Sequence, residues 1–123
     1  MQKNESREDY LERILMLKEK SGYVRSIDIA TSMGYSKPSI SIAIKKLKTE
    51  GLIEIDENTN YITLTKTGLE VAEKVYERHR IISSLLVSIG VPYDIALEDA
   101  CKIEHDLSEI TFDKIKEQYS KIQ

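Results

Sequence analysis

The sequence predicts a mainly α-helical protein that carries one short β-hairpin. Apolar residues recur at helical spacing in several segments, which are bounded by serine, glycine and proline. Only two short segments, residues 52–56 and 61–64, alternate apolar and polar residues as strands do. The chain has 123 residues, of which 41% are hydrophobic and 32% charged. These values indicate an ordinary globular protein with one compact domain or two very small ones.

Three helices are expected in the first half of the chain, each preceded by a serine that can cap it. The expected helices are residues 6–20 with Ser6 opening a capping box, 27–33 with Ser26 as cap, and 37–50 with Ser36 as cap. The two strands should then form a hairpin, because the residues between them have the composition of a turn. Three helices followed by a hairpin is the order of a winged helix-turn-helix. In the helix-turn-helix arrangement the helix after the turn lies in the major groove of DNA.

The second half should contain three further helices. Their expected ranges are residues 65–89, 93–106 and 109–122. The segment 81–89 is apolar on more than one face, and a chain of this size cannot easily cover such a helix. We therefore expect a subunit interface there and a homodimer. The predicted architecture is a winged helix-turn-helix over residues 1–64 followed by an all-helical dimerisation and metal-binding domain over residues 65–123.

Charge and composition restrict which cellular compartment and which binding partners are expected. No segment reaches the roughly 18 apolar residues of a membrane span, and the N-terminus lacks the apolar core of a signal peptide. A single cysteine cannot form an internal disulfide, so a cytoplasmic protein without membrane contact is expected. The net charge is −3, yet residues 37–48 carry four lysines and no acid. Such a basic strip favours contact with DNA, although a short lysine run also occurs on solvated helix faces.

The third helix carries the candidate DNA contacts. Hydroxyl groups near its start can bind phosphates or base edges, and its N-terminus favours an anion. The predicted DNA-binding residues are Ser36, Lys37, Pro38, Ser39, Ser41, Lys45 and Lys46. No Arg, Asn or Gln lies in its first turns to make a bidentate base contact. Sequence specificity should therefore rest on apolar contacts to thymine methyl groups and on DNA shape. A winged helix that binds another protein is the alternative.

A candidate metal site lies near the C-terminal end. Cys101, Glu104 and His105 follow the spacing i, i+3 and i+4, so on an α-helix a thiol, a carboxylate and an imidazole emerge from one face. These donors together suit Fe(II), Mn(II), Co(II) or Zn(II). The same cysteine and histidine are also the parts of a thiol nucleophile with its base. However, no oxyanion donor set or glycine-rich loop accompanies them, so an enzyme is not expected.

Taken together, these features resemble the diphtheria-toxin-repressor family of metal-dependent transcription factors, and particularly its shorter manganese-transport-regulator branch. The motifs that carry the resemblance are Asp9-Tyr10-Leu11-Glu12, Gly22-Tyr23-Val24, Asp28-Ile29-Ala30, Lys46-Leu47, Gly51-Leu52-Ile53, Leu64-Thr65-Lys66-Thr67-Gly68, Arg78-His79 and Glu98-Asp99-Ala100-Cys101-Lys102-Ile103-Glu104-His105. The last run is the most specific of these, and its acidic-Ala-Cys-x-x-Glu-His pattern is similar to the iron-responsive members.

The resemblance implies a metal-activated DNA-binding regulator, usually a repressor, that binds a palindromic operator as a homodimer. The implied metal ligands are Asp9, Glu12, His79, Cys101, Glu104 and His105. This set is a hybrid, since an aspartate at position 9 is that of the manganese branch and a cysteine at position 101 is that of the iron branch. Fe(II) or Mn(II) is the expected metal, and Co(II), Ni(II), Zn(II) or Cd(II) can substitute.

The resemblance also bears on a second, ancillary site. Ser83 and Leu97 stand where the iron branch has glutamate and histidine ligands, so one firm site is expected. The alternative is a two-metal cluster of the manganese type, which would lack a bridging carboxylate at Cys101. The alternative function is a metal-independent winged-helix regulator whose helical half binds a small molecule or a partner protein. Loss of DNA binding on chelation would separate the two functions.

Overall fold

The computed structural model describes residues 3–122, with side chains from residue 7 onward. Over this range the chain forms six helices and one two-stranded sheet, which confirms the predicted mainly α-helical class. The helices are α1 Lys3–Ser21, α2 Ser26–Met33, α3 Lys37–Thr49, α4 Lys66–Ser88, α5 Tyr93–Ile103 and α6 Glu109–Ile122, and the strands are β1 Ile53–Ile55 and β2 Ile62–Leu64. The chain divides into two compact units, Met1–Glu73 and Lys74–Gln123. The boundary expected near Leu64-Thr65 stays a prediction.

Helix α1 begins earlier than the sequence indicates. The predicted start at Ser6 is wrong, because the helix already includes Lys3 and Ser6 lies inside it. The spacing of a capping box does not require a helix to begin there, since polar residues also occur within helices. Leu11 and Ile14 are buried at 0% and 1% exposure, as expected for the inward face of this helix. Its end is as expected, because Gly22 adopts the left-handed conformation with φ of 85°.

Helices α2 and α3 form the helix-turn-helix of the first unit. The cap of α2 is Arg25 rather than the predicted Ser26, and the Arg25 N–H donates to the Asp28 carboxylate at 2.9 Å. Gly34 ends α2 in the left-handed conformation, with φ of 73°. Ser36 caps α3 as predicted, because its hydroxyl oxygen accepts the Ser39 N–H at 3.3 Å.

The hairpin β1–β2 follows α3 and forms the wing. The strands pair antiparallel with Ile53 opposite Leu64 and Ile55 opposite Ile62. Asp56 organises the turn between them, since its carboxylate accepts the N–H groups of Asn58 at 2.8 Å and Thr59 at 3.0 Å. These bonds favour the ionised carboxylate and hold the pKa of Asp56 below its usual range.

A tight contact joins the wing to the first turn of α4. The Thr65 hydroxyl donates to the Gly51 carbonyl at 2.7 Å and accepts the Gly68 N–H at 3.1 Å. The Thr65 N–H donates to the Leu52 carbonyl at 3.0 Å. Gly68 is buried against that same carbonyl, and a Cβ at position 68 would lie 2.9 Å from the Leu52 carbonyl carbon. Only glycine therefore allows this close approach of two backbone segments.

The second unit packs the later part of α4 against α5 and α6. Its buried core is Ile82, Ala100 and Phe112. Helix α5 ends at Ile103, three residues before the predicted end, because residues 104–106 form a turn. Several large apolar side chains of this unit remain exposed, namely Val87, Ile89, Tyr93, Ile95, Ile110 and Ile122. Among residues 3–122, no helix is long and apolar enough to cross a membrane.

Candidate metal centre and DNA-reading helix

Three different ligand atoms converge in the second unit. The Nδ1 atom of His79, on α4, lies 3.0 Å from Glu104 Oε2 and 3.8 Å from Cys101 Sγ. One ligand atom from each residue lies within 4.8 Å of the others. Metal–ligand bonds of about 2.0–2.3 Å place neighbouring ligand atoms around one ion about 3–4 Å apart, which is close to the spacing seen here. An imidazole, a thiol and a carboxylate are thus already gathered as a metal site requires.

Glu104 is the most deeply buried member of this cluster. Its side chain is 0% exposed, and its Oε2 atom contacts His79. Within the described part of the chain its Oε1 atom accepts no hydrogen bond, although His105 Nε2 lies 3.5 Å away. A buried carboxylate oxygen without a hydrogen bond is costly unless a further positive group approaches it. The residues present therefore fit a divalent cation.

His79 carries a proton where a cation would bind. Its ring is 8% exposed, and hydrogen bonding to Cys101 and to Glu104 raises the pKa of His79 from 6.5 to about 10. Burial of the ring opposes this rise, but the two acceptors outweigh it. An imidazolium has no free electron pair on either nitrogen, so binding of a metal through Nδ1 requires loss of the proton.

The predicted helix face that bears Cys101, Glu104 and His105 is formed only in part, since the Glu104 N–H still donates to the Ala100 carbonyl as in a helix. Because α5 ends at Ile103, Glu104 is the C-terminal cap and His105 lies in the turn beyond it. Cys101 and Glu104 both reach the Nδ1 atom of His79, whereas His105 contacts the other carboxylate oxygen of Glu104. Glu104 thus has an imidazole beside each of its two oxygens.

Arg78 holds the turn that presents Glu104 and His105, and the sequence did not single it out beyond its place in a motif. Its Nη1 group donates to the Glu104 carbonyl at 3.0 Å and to the Leu107 carbonyl at 2.8 Å. The guanidinium also lies 5.1 Å from the centre of the Phe112 ring. The sequence offered one signal, an arginine directly before a predicted histidine ligand. The burial of this arginine cannot be read from the sequence alone.

The two carboxylates predicted from α1 belong to the first unit. Asp9 and Glu12 lie one helical turn apart, and Glu12 is 6% exposed, so it is not the ordinary solvated charge that its residue type favours. Their roles as ligands stay predictions. Ser83 donates its hydroxyl to the His79 carbonyl at 2.7 Å. Because this hydroxyl serves the helix backbone, it offers little to an ancillary metal site.

Helix α3 exposes the residues predicted to contact DNA. These residues, Ser36, Lys37, Pro38, Ser39, Ser41, Lys45 and Lys46, are all exposed. The Ser36 hydroxyl donates to the Ser39 hydroxyl at 3.0 Å, so its proton serves the cap rather than a phosphate or a base. Ser39 keeps its own hydroxyl proton for a further acceptor. Their roles in DNA binding stay predictions.

Comparison with known proteins agrees with this arrangement. The transcriptional regulator MntR of Escherichia coli is 37% identical over 109 residues, which cover 89% of this chain and 70% of that protein. The crystal structure of IdeR from T. acidophilum is 30% identical with a TM-score of 0.81, covering 92% of this chain and 53% of that chain. A manganese-dependent transcriptional repressor in complex with manganese is 28% identical with a TM-score of 0.83, covering 93% of this chain and 52% of that chain.

This chain therefore spans about half the length of the two solved chains that it matches. Two family models match most of its length. Residues 4–59 match the N-terminal DNA binding domain of the iron dependent repressors, and residues 65–123 match their metal binding and dimerisation domain. These matches confirm the resemblance stated from the sequence. The chain belongs to the iron-dependent repressor family of metal-dependent, DNA-binding transcriptional regulators.

Proposed function

We propose that this chain is a homodimeric repressor that binds a palindromic DNA operator when its centre holds Fe(II) or Mn(II). The observation that carries the proposal is the cluster of buried His79 and Glu104 with exposed Cys101, in a chain that also exposes a basic helix α3. We place the protein in the cytoplasm, where a free thiol stays reduced.

The ligands that we propose are Asp9, Glu12, His79, Cys101, Glu104 and His105. When bound, the cation supplies the positive charge that the His79 proton supplies in its absence. His79 gives up its Nδ1 proton, and Glu104 gains a partner for the oxygen that accepts no hydrogen bond among the described residues. Cys101 contributes a soft thiolate ligand, which favours Fe(II) over Mn(II). Asp9 contributes a hard carboxylate ligand, which suits Mn(II) as well as Fe(II).

The proposed ligand set draws on both units of the chain, because Asp9 and Glu12 come from α1. Shared ligands would fix α1 relative to the dimerising half, and with it the spacing of the two α3 helices in a dimer. Operator half-sites about one helical turn of DNA apart accept only the matching spacing. Coupling of this kind is typically worth about 1–3 kcal/mol, which is about 5- to 150-fold in DNA affinity.

The test is an anaerobic mobility-shift titration on duplexes selected by the protein from a random pool, with Mn(II), Fe(II) or a chelator. We expect a shift with either cation that is lost with chelator. Glu104→Gln should lose the metal dependence, whereas Glu117→Gln, which neutralises a carboxylate of 60% side-chain exposure on α6, should keep it. An identical shift with chelator would favour the metal-independent regulator instead.

A further inference from the structure

One large apolar side chain of α3 faces away from the protein. Ile42 is 71% exposed, whereas Ile40 and Ile44 are buried at 1% and 4%. Residues two positions apart on an α-helix point in directions about 200° apart, so Ile42 lies opposite the face that α3 packs inward. An isoleucine at this place contributes nothing to the core, and its exposure is unfavourable until something covers it.

The residues around Ile42 indicate what kind of partner covers it. Ser39 lies three residues before it, and Lys45 and Lys46 lie three and four residues after it, so all four share one exposed face. Residues 37–48 contain no acid. An occupant of this face must carry several negative charges and also present a small apolar group between them. The major groove of DNA has this combination, because the 5-methyl group of thymine projects between two rows of phosphates.

We propose that Ile42 reads a thymine in each operator half-site through contact with the 5-methyl group. The inference rests on the proposed function, since it requires α3 to enter the major groove. Helix α3 has no Arg, Asn, Gln, Asp or Glu that can make the usual polar contacts with base edges. Ile42 is therefore the side chain of this helix best suited to favour one base pair over the others. Lys45 and Lys46 beside it are placed to bind phosphates, and contacts to phosphates carry no sequence information.

The experiment uses the full-length protein with Mn(II) and duplexes that it selects from a random pool. Each thymine of a selected half-site is replaced in turn by deoxyuridine, which removes only the 5-methyl group. At one position we expect binding to weaken by about fourfold, and by about fifteenfold when both half-sites are changed, which is the effect of one buried methyl group per site.

The matched variants are Ile42→Ala and Lys46→Ala, both at exposed positions where folding should be unaffected. Ile42→Ala should weaken binding to the thymine duplex and should no longer distinguish thymine from deoxyuridine at that position. Lys46→Ala should weaken binding to both duplexes equally, keep the distinction, and lower the salt dependence by about one phosphate contact in each half-site.

Two results would overturn the inference while leaving the proposed function intact. One is a wild-type protein that binds every deoxyuridine duplex as tightly as its thymine counterpart. The other is Ile42→Ala protein that keeps the full preference for thymine. Failure of the wild-type protein to select any duplex, with or without Mn(II), would instead overturn the proposed function and this inference together.

Discussion

Replacement of Gly68 by alanine should destabilise the first unit, because position 68 has no room for a side chain. The added Cβ would lie well inside van der Waals contact with the Leu52 carbonyl oxygen and 2.9 Å from its carbonyl carbon. Both are backbone atoms, so neither can rotate away as the end of a flexible side chain can. Either the first turn of α4 or the segment that enters β1 must shift.

The size of the effect follows from what that shift disturbs. Overpacking of this kind costs about 1–3 kcal/mol. The movement also strains the hydrogen bonds of Thr65 to the carbonyls of Leu52 and Gly51, each worth about 0.5–1.5 kcal/mol. Alanine recovers about 1 kcal/mol through its better helix propensity. We therefore expect the free energy of unfolding to fall by about 1–5 kcal/mol, the sum of these ranges.

Urea unfolding followed by circular dichroism measures this difference. The control is Thr67→Ala, which changes the exposed neighbouring residue of the same helical turn and should alter stability by less than about 0.5 kcal/mol. Gly68→Ala protein as stable as the wild type, or more stable, would show that α4 and the wing do not approach each other as described.

Four further predictions concern the metal centre. Glu104→Gln should abolish the rise in Tm on addition of Mn(II), measured by differential scanning fluorimetry; a full rise would remove Glu104 from the proposed ligand set. Because the pKa of His79 is raised from 6.5 to about 10, its contribution to the stability of the metal-free protein should be complete below pH 6.5 and lost as the pH rises to about 10. For the same reason Mn(II) binding at pH 7 should release about one proton from this residue. Unfolding midpoints measured across this pH range check the stability statement. Calorimetry in buffers of different ionisation enthalpy checks the proton release, and His79→Gln protein is the comparison for both. Arg78→Met should lower stability by about 2–4 kcal/mol and weaken Mn(II) binding by at least tenfold, since the Glu104 carbonyl loses a charged donor in a buried hydrogen bond and the Leu107 carbonyl loses one in a partly buried bond. Unchanged Mn(II) affinity in folded protein would show that the turn holds without Arg78.

The elements that local signals define were predicted well. Helix α3 was placed to within one residue because Ser36, Pro38 and Gly51 mark its two ends, and α6 was predicted with the bounds that it has. The end of α5 was placed three residues too late because its cause is not local. Arg78, which is distant in sequence, binds the carbonyls of Glu104 and Leu107. No periodicity within α5 reveals such a partner.

The candidate site divides in the same way. The spacing of Cys101 and Glu104 was enough to predict that they are neighbours, because one turn of α5 separates them. Their contact with His79 joins residues 22 and 25 positions apart in sequence, and only the resemblance to a family indicated it. The sequence alone could not show that Glu104 is buried, or that its Oε1 atom accepts no hydrogen bond among the described residues. Hydrophobic periodicity predicts which face of a helix is apolar. It does not predict which helices pack against each other through those faces.

The cluster in the second unit is closed on one side and open on the other. Glu104 and His79 are buried, whereas Cys101 is exposed, so of the three proposed ligand atoms the sulfur is the one that an outside reagent reaches first. Since this is the only cysteine of the chain, an alkylating agent labels one position and the label reports on one site. A thiolate engaged with a cation reacts more slowly than a free one. Resistance to alkylation can therefore serve as a gauge of metal occupancy in a cell extract, without purification and without DNA.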